Sequence, residues 1–307
     1  MIIAVASGKG GTGKTSVATS LALSINQTSH GESDPLLFLD CDVEAPNAHL
    51  FLRPDFNQSQ AVGILIPQVD ESLCTHCGKC AEVCQYHAIA VLGKKTLVFP
   101  QLCHGCGSCT LVCPEKAIHE TLDVLGVLER GFTPSGVDFA RGVLSVGEPM
   151  AVPVIRQLKK WTASQPGQVV IVDASPGTSC PVVEAVRGAD FLLLVTEPTP
   201  FGLHDLKLAA QVASELQIPT GVVLNRYHNH SPSSEFSIVV EAYCREVGLP
   251  ILMRIPFERE IAEGIARGKT LVEIRPELIP QFRELYRRMS LDSGSGIQVM
   301  SSSGDAN

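Results

Sequence analysis

Ile2-Ile3-Ala4-Val5-Ala6-Ser7-Gly8-Lys9-Gly10-Gly11-Thr12-Gly13-Lys14-Thr15-Ser16 opens the chain after Met1, and its reading decides the architecture. Ile2–Ala6 is a short apolar run of the kind that forms a buried parallel strand, and the spacing predicts a helix from about Lys14 to Ile25. Between them, Gly8–Thr15 fits the phosphate-loop pattern G-x-x-x-x-G-K-[ST], placed where such a loop must sit, after a strand and opening a helix. The glycines let backbone N–H groups turn inward around phosphates, and the helix N-terminus adds its positive end. Lys14 is expected to reach the β- and γ-phosphates, with the Thr15 hydroxyl on Mg²⁺. Gly8, Lys9, Gly10, Gly11, Thr12, Gly13, Lys14, Thr15 and Ser16 form the first nucleotide-binding set.

The same rhythm recurs further along. Leu36–Leu39 reads as the next buried strand, ending at Asp40, and Val169–Val172, Phe191–Val195, Gly221–Leu224 and Ile251–Ile255 read as later ones. Helical stretches such as Leu203–Leu216, Glu235–Val247 and Pro276–Met289 fall among or after them. Strands alternating with helices imply right-handed βαβ units and a mostly parallel, doubly wound α/β sheet covered on both faces.

From Asp55 to about Glu148 the alternation fails. Eight of the 11 cysteines lie between Cys74 and Cys113, in two copies of one unit offset by 29 residues, with tails His87-Ala88-Ile89 and Lys116-Ala117-Ile118. Leu122–Leu128 and Val143–Val146 are expected as short strands leading back into the sheet. The predicted organisation is a P-loop domain in two parts, residues 1–60 and 146–290, with a small α+β bacterial-ferredoxin insert at 61–145 (core 70–121). A Ser- and Gly-rich disordered tail is expected at 291–307.

Cys74-x₂-Cys77-x₂-Cys80-x₃-Cys84 and Cys103-x₂-Cys106-x₂-Cys109-x₃-Cys113-Pro114 are bacterial-ferredoxin runs. In such runs three cysteines wrap one [4Fe–4S] cluster and the fourth ligates the other. The spacing therefore assigns Cys74, Cys77, Cys80 and Cys113 to one cluster, and Cys84, Cys103, Cys106 and Cys109 to the second. Gly78, Gly105, Gly107 and Ser108 let the backbone fold closely. Zinc prefers two cysteine pairs separated by a longer loop. Gln85, not Pro, follows Cys84. His76 and His104, inside the runs, are expected beside the ligands and not among them.

The 307 residues are 45% apolar and 18% charged, an ordinary globular composition long enough to bury a sizeable core. No apolar run is long enough to span a membrane, and the N-terminus lacks a basic leader segment, so a cytoplasmic location without stable membrane insertion is expected. A formal net charge of −8 argues against nucleic acid as the main partner. Two thiolate-bound clusters would take it to about −12.

Lys9-Gly-Gly-Thr-Gly-Lys14-Thr15, with its extra lysine, resembles the deviant Walker A of the MinD/ParA/nitrogenase iron protein class of ATPases. Asp40-Cys41-Asp42-Val43-Glu44-Ala45-Pro46-Asn47 resembles the segment after the second strand in MinD-like proteins, and Asp173-Ala174-Ser175-Pro176-Gly177 their switch II. The resemblance implies a dimer-forming ATPase using ATP/ADP and Mg²⁺, in which Lys9 crosses to the nucleotide of the other subunit. It also implies that Asp42 orients the attacking water, that Asp40 and Asp173 support Mg²⁺, and that Pro176 and Gly177 belong to the γ-phosphate sensor. Asn225 resembles the adenine-reading asparagine, with Arg226 beside it, and Pro256-Phe257 resembles the loop lining the base pocket. The whole chain up to the tail thus resembles MinD-superfamily ATPases with an inserted ferredoxin domain.

Three functions remain open at this level: an ATPase coupled to electron transfer or cluster handling, a redox-sensing positioning or assembly ATPase, and an iron–sulfur scaffold or carrier. The first implies a homodimer, or a heterodimer with a similar chain, and a redox or metal-cluster partner protein. Amide-ligase relatives share the fold, but no glutaminase-like region is visible. Cys180 lies near switch II, where a nitrogenase-type bridging cluster would sit; without an obvious second cysteine, a packed or redox-sensitive thiol is expected. Arg283, Arg287 and Arg288 on the last helix are expected on a solvated face.

Overall fold

The central strands are apolar on both faces, so alternate residues feed opposite halves of the core. The computed structural model of the chain describes residues 1–26, 35–227 and 235–292. Its elements run β1 (Ile2–Ala6), α1 (Lys14–Asn26), β2 (Leu36–Asp40), α2 (His49–Leu52), β3 (Asp55–Val69), α3 (Lys79–Val83), β4 (Ile89–Leu92), β5 (Lys95–Val98), α4 (Ser108–Val112), β6 (Ile118–Phe132) and β7 (Asp138–Leu144). There follow α5 (Ala151–Trp161), β8 (Val169–Asp173), α6 (Cys180–Val186), β9 (Phe191–Thr196), α7 (Pro200–Glu215), β10 (Thr220–Tyr227) and α8 (Glu235–Glu246). The chain closes with β11 (Ile251–Pro256), α9 (Arg259–Ala266), α10 (Leu271–Ile274) and α11 (Ile279–Asp292).

Among the described residues, nine strands form one sheet in the order β11-β10-β9-β1-β8-β2-β7-β6-β3. The strands from β11 through β7 are mutually parallel, whereas β6 pairs antiparallel with both β7 and β3. Ala4, Leu37, Leu39, Val170 and Leu192 face a core shared with α5, α6 and α7. Ile3, Phe38, Ile171 and Leu193 face the other, closed by α1, α10 and α11.

The segment expected to break the rhythm does so differently from the reading above. Short strands were expected at Leu122–Leu128 and Val143–Val146; β6 instead covers 15 residues, and β7 ends at Leu144, leaving Val146 fully exposed. β3 and β6 make a long hairpin whose lower half extends the main sheet and whose upper half stands beyond β7. Register shifts at Val62/Gly63 mark where it bends. A Cβ on Gly63 would lie 1.8 Å from the carbonyl oxygen of Asp123, so only glycine permits that approach. Helix α5, which no sequence signal announced, packs Ala151, Val154, Ile155 and Leu158 into the core beneath the hairpin.

At the hairpin's far end sit α3, α4, the two-stranded sheet β4–β5 and the eight clustered cysteines. The last helix begins with a 3₁₀ turn at Pro276–Leu278 and then runs as α11. Arg283 donates to the Ser24 carbonyl, Arg288 to that of Leu252, and Arg287 pairs with Glu284. Beyond Asp292, the tail expected at 291–307 lies outside the described residues. No helix among the described residues is long and apolar enough to cross a membrane.

Candidate functional site

β1 lies between β8 and β9, so the loop after it emerges mid-sheet at the carboxyl ends of parallel strands, where ligands of open α/β sheets bind. A cleft of about 360 Å³ opens there, lined by Ser7, Gly10, Gly11, Gly13, Lys14, Thr15 and Ser16 of the loop and α1. Asp42, Pro176, Asn225, Arg226, Pro256 and Phe257 reach the same cleft. Sequence positions spread over the whole chain are thus brought to one place.

The loop is held from behind and open in front. A Cβ on Gly8 would lie 2.3 Å from the Asp205 carbonyl oxygen, and one on Gly13 2.2 Å from the Asn225 amide nitrogen. Nothing stands within 4 Å of the corresponding positions on Gly10 and Gly11, which leaves a backbone-lined cradle. Asn225 Nδ2 donates to the Thr12 carbonyl at 2.7 Å, and its Oδ1 accepts from Arg226 N–H at 2.9 Å. Its amide therefore braces the loop as well as lining the cleft.

Lys14 Nζ is buried and lies 2.6 Å from Asp173 Oδ1. Burial works against its charge, but the Asp173 carboxylate and their hydrogen bond outweigh it and hold the ammonium above its usual range. Asp173 is fully buried, and its Oδ2 has no hydrogen-bond partner. Thr12 Oγ1 and Asn47 Oδ1 are likewise buried without partners. Such orphaned groups are costly unless a ligand or ion completes them. Asp40 accepts from the backbone N–H groups of Asp42 (3.2 Å) and Ala48 (3.0 Å). Burial, helped by Asp173, raises its pKa to about 7 despite Lys14, and burial likewise raises that of Asp42 to about 6. These donors fit an Mg²⁺ ion with a polyphosphate. Gly177 donates its N–H to the Ser7 carbonyl at φ +97°, tying the 173–177 loop to the phosphate loop.

Lys9 does not project freely. Its Nζ lies 2.5 Å from Glu197 Oε1 of the same chain, while Arg226 bridges Glu197 Oε2 (3.0 Å) and the Gly11 carbonyl (2.9 Å). Glu197, just after β9, carries no motif and was invisible in the sequence. The same holds for Phe51, Ile261, Ala262 and Ile265, which complete the apolar wall next to Phe257. For the α9 residues, helical spacing after Pro256-Phe257 was the available signal.

The cysteines gather in two pockets. Cys74, Cys77, Cys80 and Cys113 line one, and Cys84, Cys103, Cys106 and Cys109 line the other, each set drawn from both runs. The 29-residue repeat recurs in the backbone: His76 and Gly105, Gly78 and Gly107, and His87 and Lys116 all have positive φ. Backbone N–H groups of Ala88 and Ala117 donate to Cys84 and Cys113 sulfurs at 3.3 Å each. His76 lies 3.3 Å from the Thr96 hydroxyl and 3.7 Å from Cys74 Sγ, and His104 stacks on Tyr86 at 3.7 Å. Among the described residues, no three His, Cys, Asp or Glu side chains converge as donors for one metal ion. Each pocket instead offers four cysteine thiols drawn from both runs, the ligand set that a four-iron, four-sulfur group would take. Val69 and Ile118 place the first pocket at the tip of the hairpin; Leu65, Pro67 and Glu120 place the second further down it.

Of the remaining cysteines, Cys41 and Cys244 are buried, and burial pushes their thiols to about 12 and about 11. Cys180 is exposed at the start of α6. The Asp42 loop is bonded to β7, next to the hairpin: Leu144 N–H donates to the Val43 carbonyl at 2.8 Å, and Asp40 is in register with Arg141, which pairs with Glu129 of β6.

The family described as CobQ/CobB/MinD/ParA nucleotide binding domain matches residues 3–272. An uncharacterized protein of Methanocaldococcus jannaschii is 30% identical over 94% of this chain and 96% of its own length. The iron-sulfur cluster carrier protein of Aquifex aeolicus is 25% identical over 90% of this chain and 63% of its own length. Among solved structures, the septum site-determining protein MinD of Pyrococcus horikoshii, complexed with Mg-ADP, superposes with a TM-score of 0.57 at 19% identity, covering 97% of this chain and 99% of its own; this likeness concerns the fold.

Proposed function

We propose, since this chain belongs to the CobQ/CobB/MinD/ParA nucleotide-binding family, that it is a dimer-forming ATPase coupling ATP binding and hydrolysis to electron transfer or iron–sulfur cluster handling. One observation carries the reading: two crossed cysteine quartets sit on a hairpin whose lower half is part of the nucleotide-binding sheet. In the cleft, backbone N–H groups of Gly10–Gly13 and the start of α1 hold the phosphates, with Lys14 between the β- and γ-positions. Asp173, Asp40 and Thr15 would hold Mg²⁺, which would neutralise charge on the phosphates, and Asp42 would orient the attacking water. Phe257, Ile261 and Ile265 enclose the base, with Asn225 and Arg226 at its edge. When bound, two [4Fe–4S] clusters on Cys74/77/80/113 and Cys84/103/106/109 supply one-electron chemistry. The chain's own residues contribute the thiolates, N–H groups aimed at sulfur, and separation from the cleft.

The decisive experiment is anaerobic purification followed by iron counting and reduction with and without ATP. About eight irons per chain and ATP-dependent electron uptake are expected. Reduction that ignores ATP while redox state changes the hydrolysis rate would favour a sensing or positioning ATPase. The cluster-carrier reading has specific support in the Aquifex relative. It requires transfer of the clusters to an apo-protein, whereas complete ferredoxin-type spacing favours their retention.

Two further outcomes follow from the cleft. Asp42 must be ionised to accept a proton from water, and burial has raised its pKa to about 6. Hydrolysis at saturating Mg²⁺–ATP should therefore climb as pH rises through about 6; a rate flat from about pH 5 to 8 would remove Asp42 from that role. Lys9 must leave Glu197 before it can reach another subunit. Glu197→Gln should strengthen ATP-dependent dimerisation by roughly fivefold, from about 1 kcal/mol of released pairing. Sedimentation with a non-hydrolysable ATP analogue reads this directly.

A further inference from the structure

The two cysteine pockets are built from one repeated unit, so a position at which the copies differ marks where the sites differ. One such difference carries a charge. Glu120 of β6 lines the second pocket, together with Cys84, Cys103, Cys106 and Cys109. It is half-buried, and its Oε1 accepts from the Thr110 hydroxyl of α4 at 2.9 Å. The carboxylate stands close to the start of α4, where a Cβ on Gly107 would lie 3.1 Å from the same oxygen. At an offset of 29 residues, the first copy has Ala81 in place of Thr110 and Val91 in place of Glu120. Val91 lines the first pocket, so an apolar side chain stands where its counterpart has a carboxylate.

The other charges do not offset this. One histidine lines each pocket, His76 the first and His104 the second. Lys79 and Glu115 at the first are exposed and opposite in sign. Glu71 does not line that pocket; its carboxylate is exposed and accepts from the Thr96 N–H. Among the described residues, no lysine or arginine lines the second pocket. Net charge and hydrogen bonds to sulfur both set the potential of such a cluster. One hydroxyl lies 3.5 Å from a sulfur in each pocket, that of Thr96 in the first and Ser108 in the second. The second has two N–H donors to sulfur, Ala88 (3.3 Å) and Gly105 (3.4 Å), against one from Ala117 in the first. A full negative charge in the lining outweighs that one extra, long N–H···S contact, because it acts directly on any added electron through a partly desolvated medium.

We propose, resting on the two-cluster reading above, that Glu120, held by Thr110, makes the second site the harder to reduce, so that the first electron entering the pair settles at the tip. An electron given to the second site by a low-potential one-electron reductant then passes to the first. The second is reoxidised, the first is reduced, and no bond or proton moves. The hairpin thus keeps its electron at the end away from the cleft. Thr110 acts through Glu120 and is a positioning residue.

Glu120→Gln removes the charge while keeping the side chain's shape and its acceptor for Thr110. The anaerobically prepared full chain, first shown to hold about eight irons, is titrated with dithionite through mediators and followed by electron paramagnetic resonance. Two one-electron steps are expected in the wild type. Repulsion between electrons separates two steps even for equal sites, so the variant is what discriminates. Glu120→Gln should ease the lower-potential step by about tenfold in its equilibrium constant, about 59 mV for one electron, and leave the higher step where it was. Glu120→Asp, which retains the charge, should leave both steps near the wild type. A shift of the higher step instead, or no shift in either, overturns the proposal and leaves the cluster reading intact. So does an equal shift in Glu120→Asp, since shape and not charge would then be responsible. A chain without iron overturns the cluster reading, and this proposal with it.

Discussion

Replacing Lys14 with alanine should abolish ATP hydrolysis, with a loss on the order of 10³-fold or more in turnover, because positioning and charge neutralisation are nearly all that the protein contributes to phosphoryl transfer. The structure adds a second expectation. Lys14 is the buried partner of a fully buried Asp173, one of whose oxygens already lacks a hydrogen bond. Removing the ammonium leaves an uncompensated charge, at a cost of about 3–5 kcal/mol. Lys14→Ala alone should therefore lower the unfolding midpoint as well as activity. Lys14→Ala combined with Asp173→Asn should recover most of the stability and none of the turnover. Thermal unfolding and phosphate release, measured on both variants, separate the two effects. Iron content should stay unchanged in each, since the cysteine pockets lie at the other end of the hairpin. Hydrolysis surviving either substitution would overturn the assigned site.

The second large effect concerns which cysteines belong together. With Cys113 grouped with Cys74, Cys77 and Cys80, replacing Cys77 and Cys113 together by alanine should empty one site and leave about four of eight irons. Replacing Cys106 and Cys113 together should damage both sites and leave about none. If each run instead held its own cluster, the two results would be exchanged. The measurement needs only anaerobic iron and sulfide quantitation, so it does not depend on a partner or on ATP. The mixed composition of the two pockets supports the first pattern.

Much of the central sheet was legible because its strands are buried on both faces and read as uninterrupted apolar runs. β1 was placed at its observed limits, and β2, β8, β9 and β11 to within a residue. The edge hairpin was not legible in the same way. Asn57–Gln60 is polar on both faces, so it carries neither alternation nor an apolar run, although its backbone is extended. Helix α5 contains Pro153 in its first turn, where proline is tolerated, but that position hides it from a search for uninterrupted helical spacing. In the cleft, residues following strand ends within motifs were found, and those contributed by tertiary approach were not. Glu197 meets Lys9 only because β9 neighbours β1.

The bend at Gly63 and the ladder below it turn the hairpin into a lever. Gly63–Val69 spans roughly 23 Å at about 3.3 Å per residue. A rotation of one protomer's sheet by about 10° would sweep the tip through about 4 Å, while the span from cleft to tip within that protomer stays nearly constant. Under the proposed coupling, a partner reading nucleotide state at the tip measures it against a body outside this chain, as a gauge needs a fixed scale beside its needle.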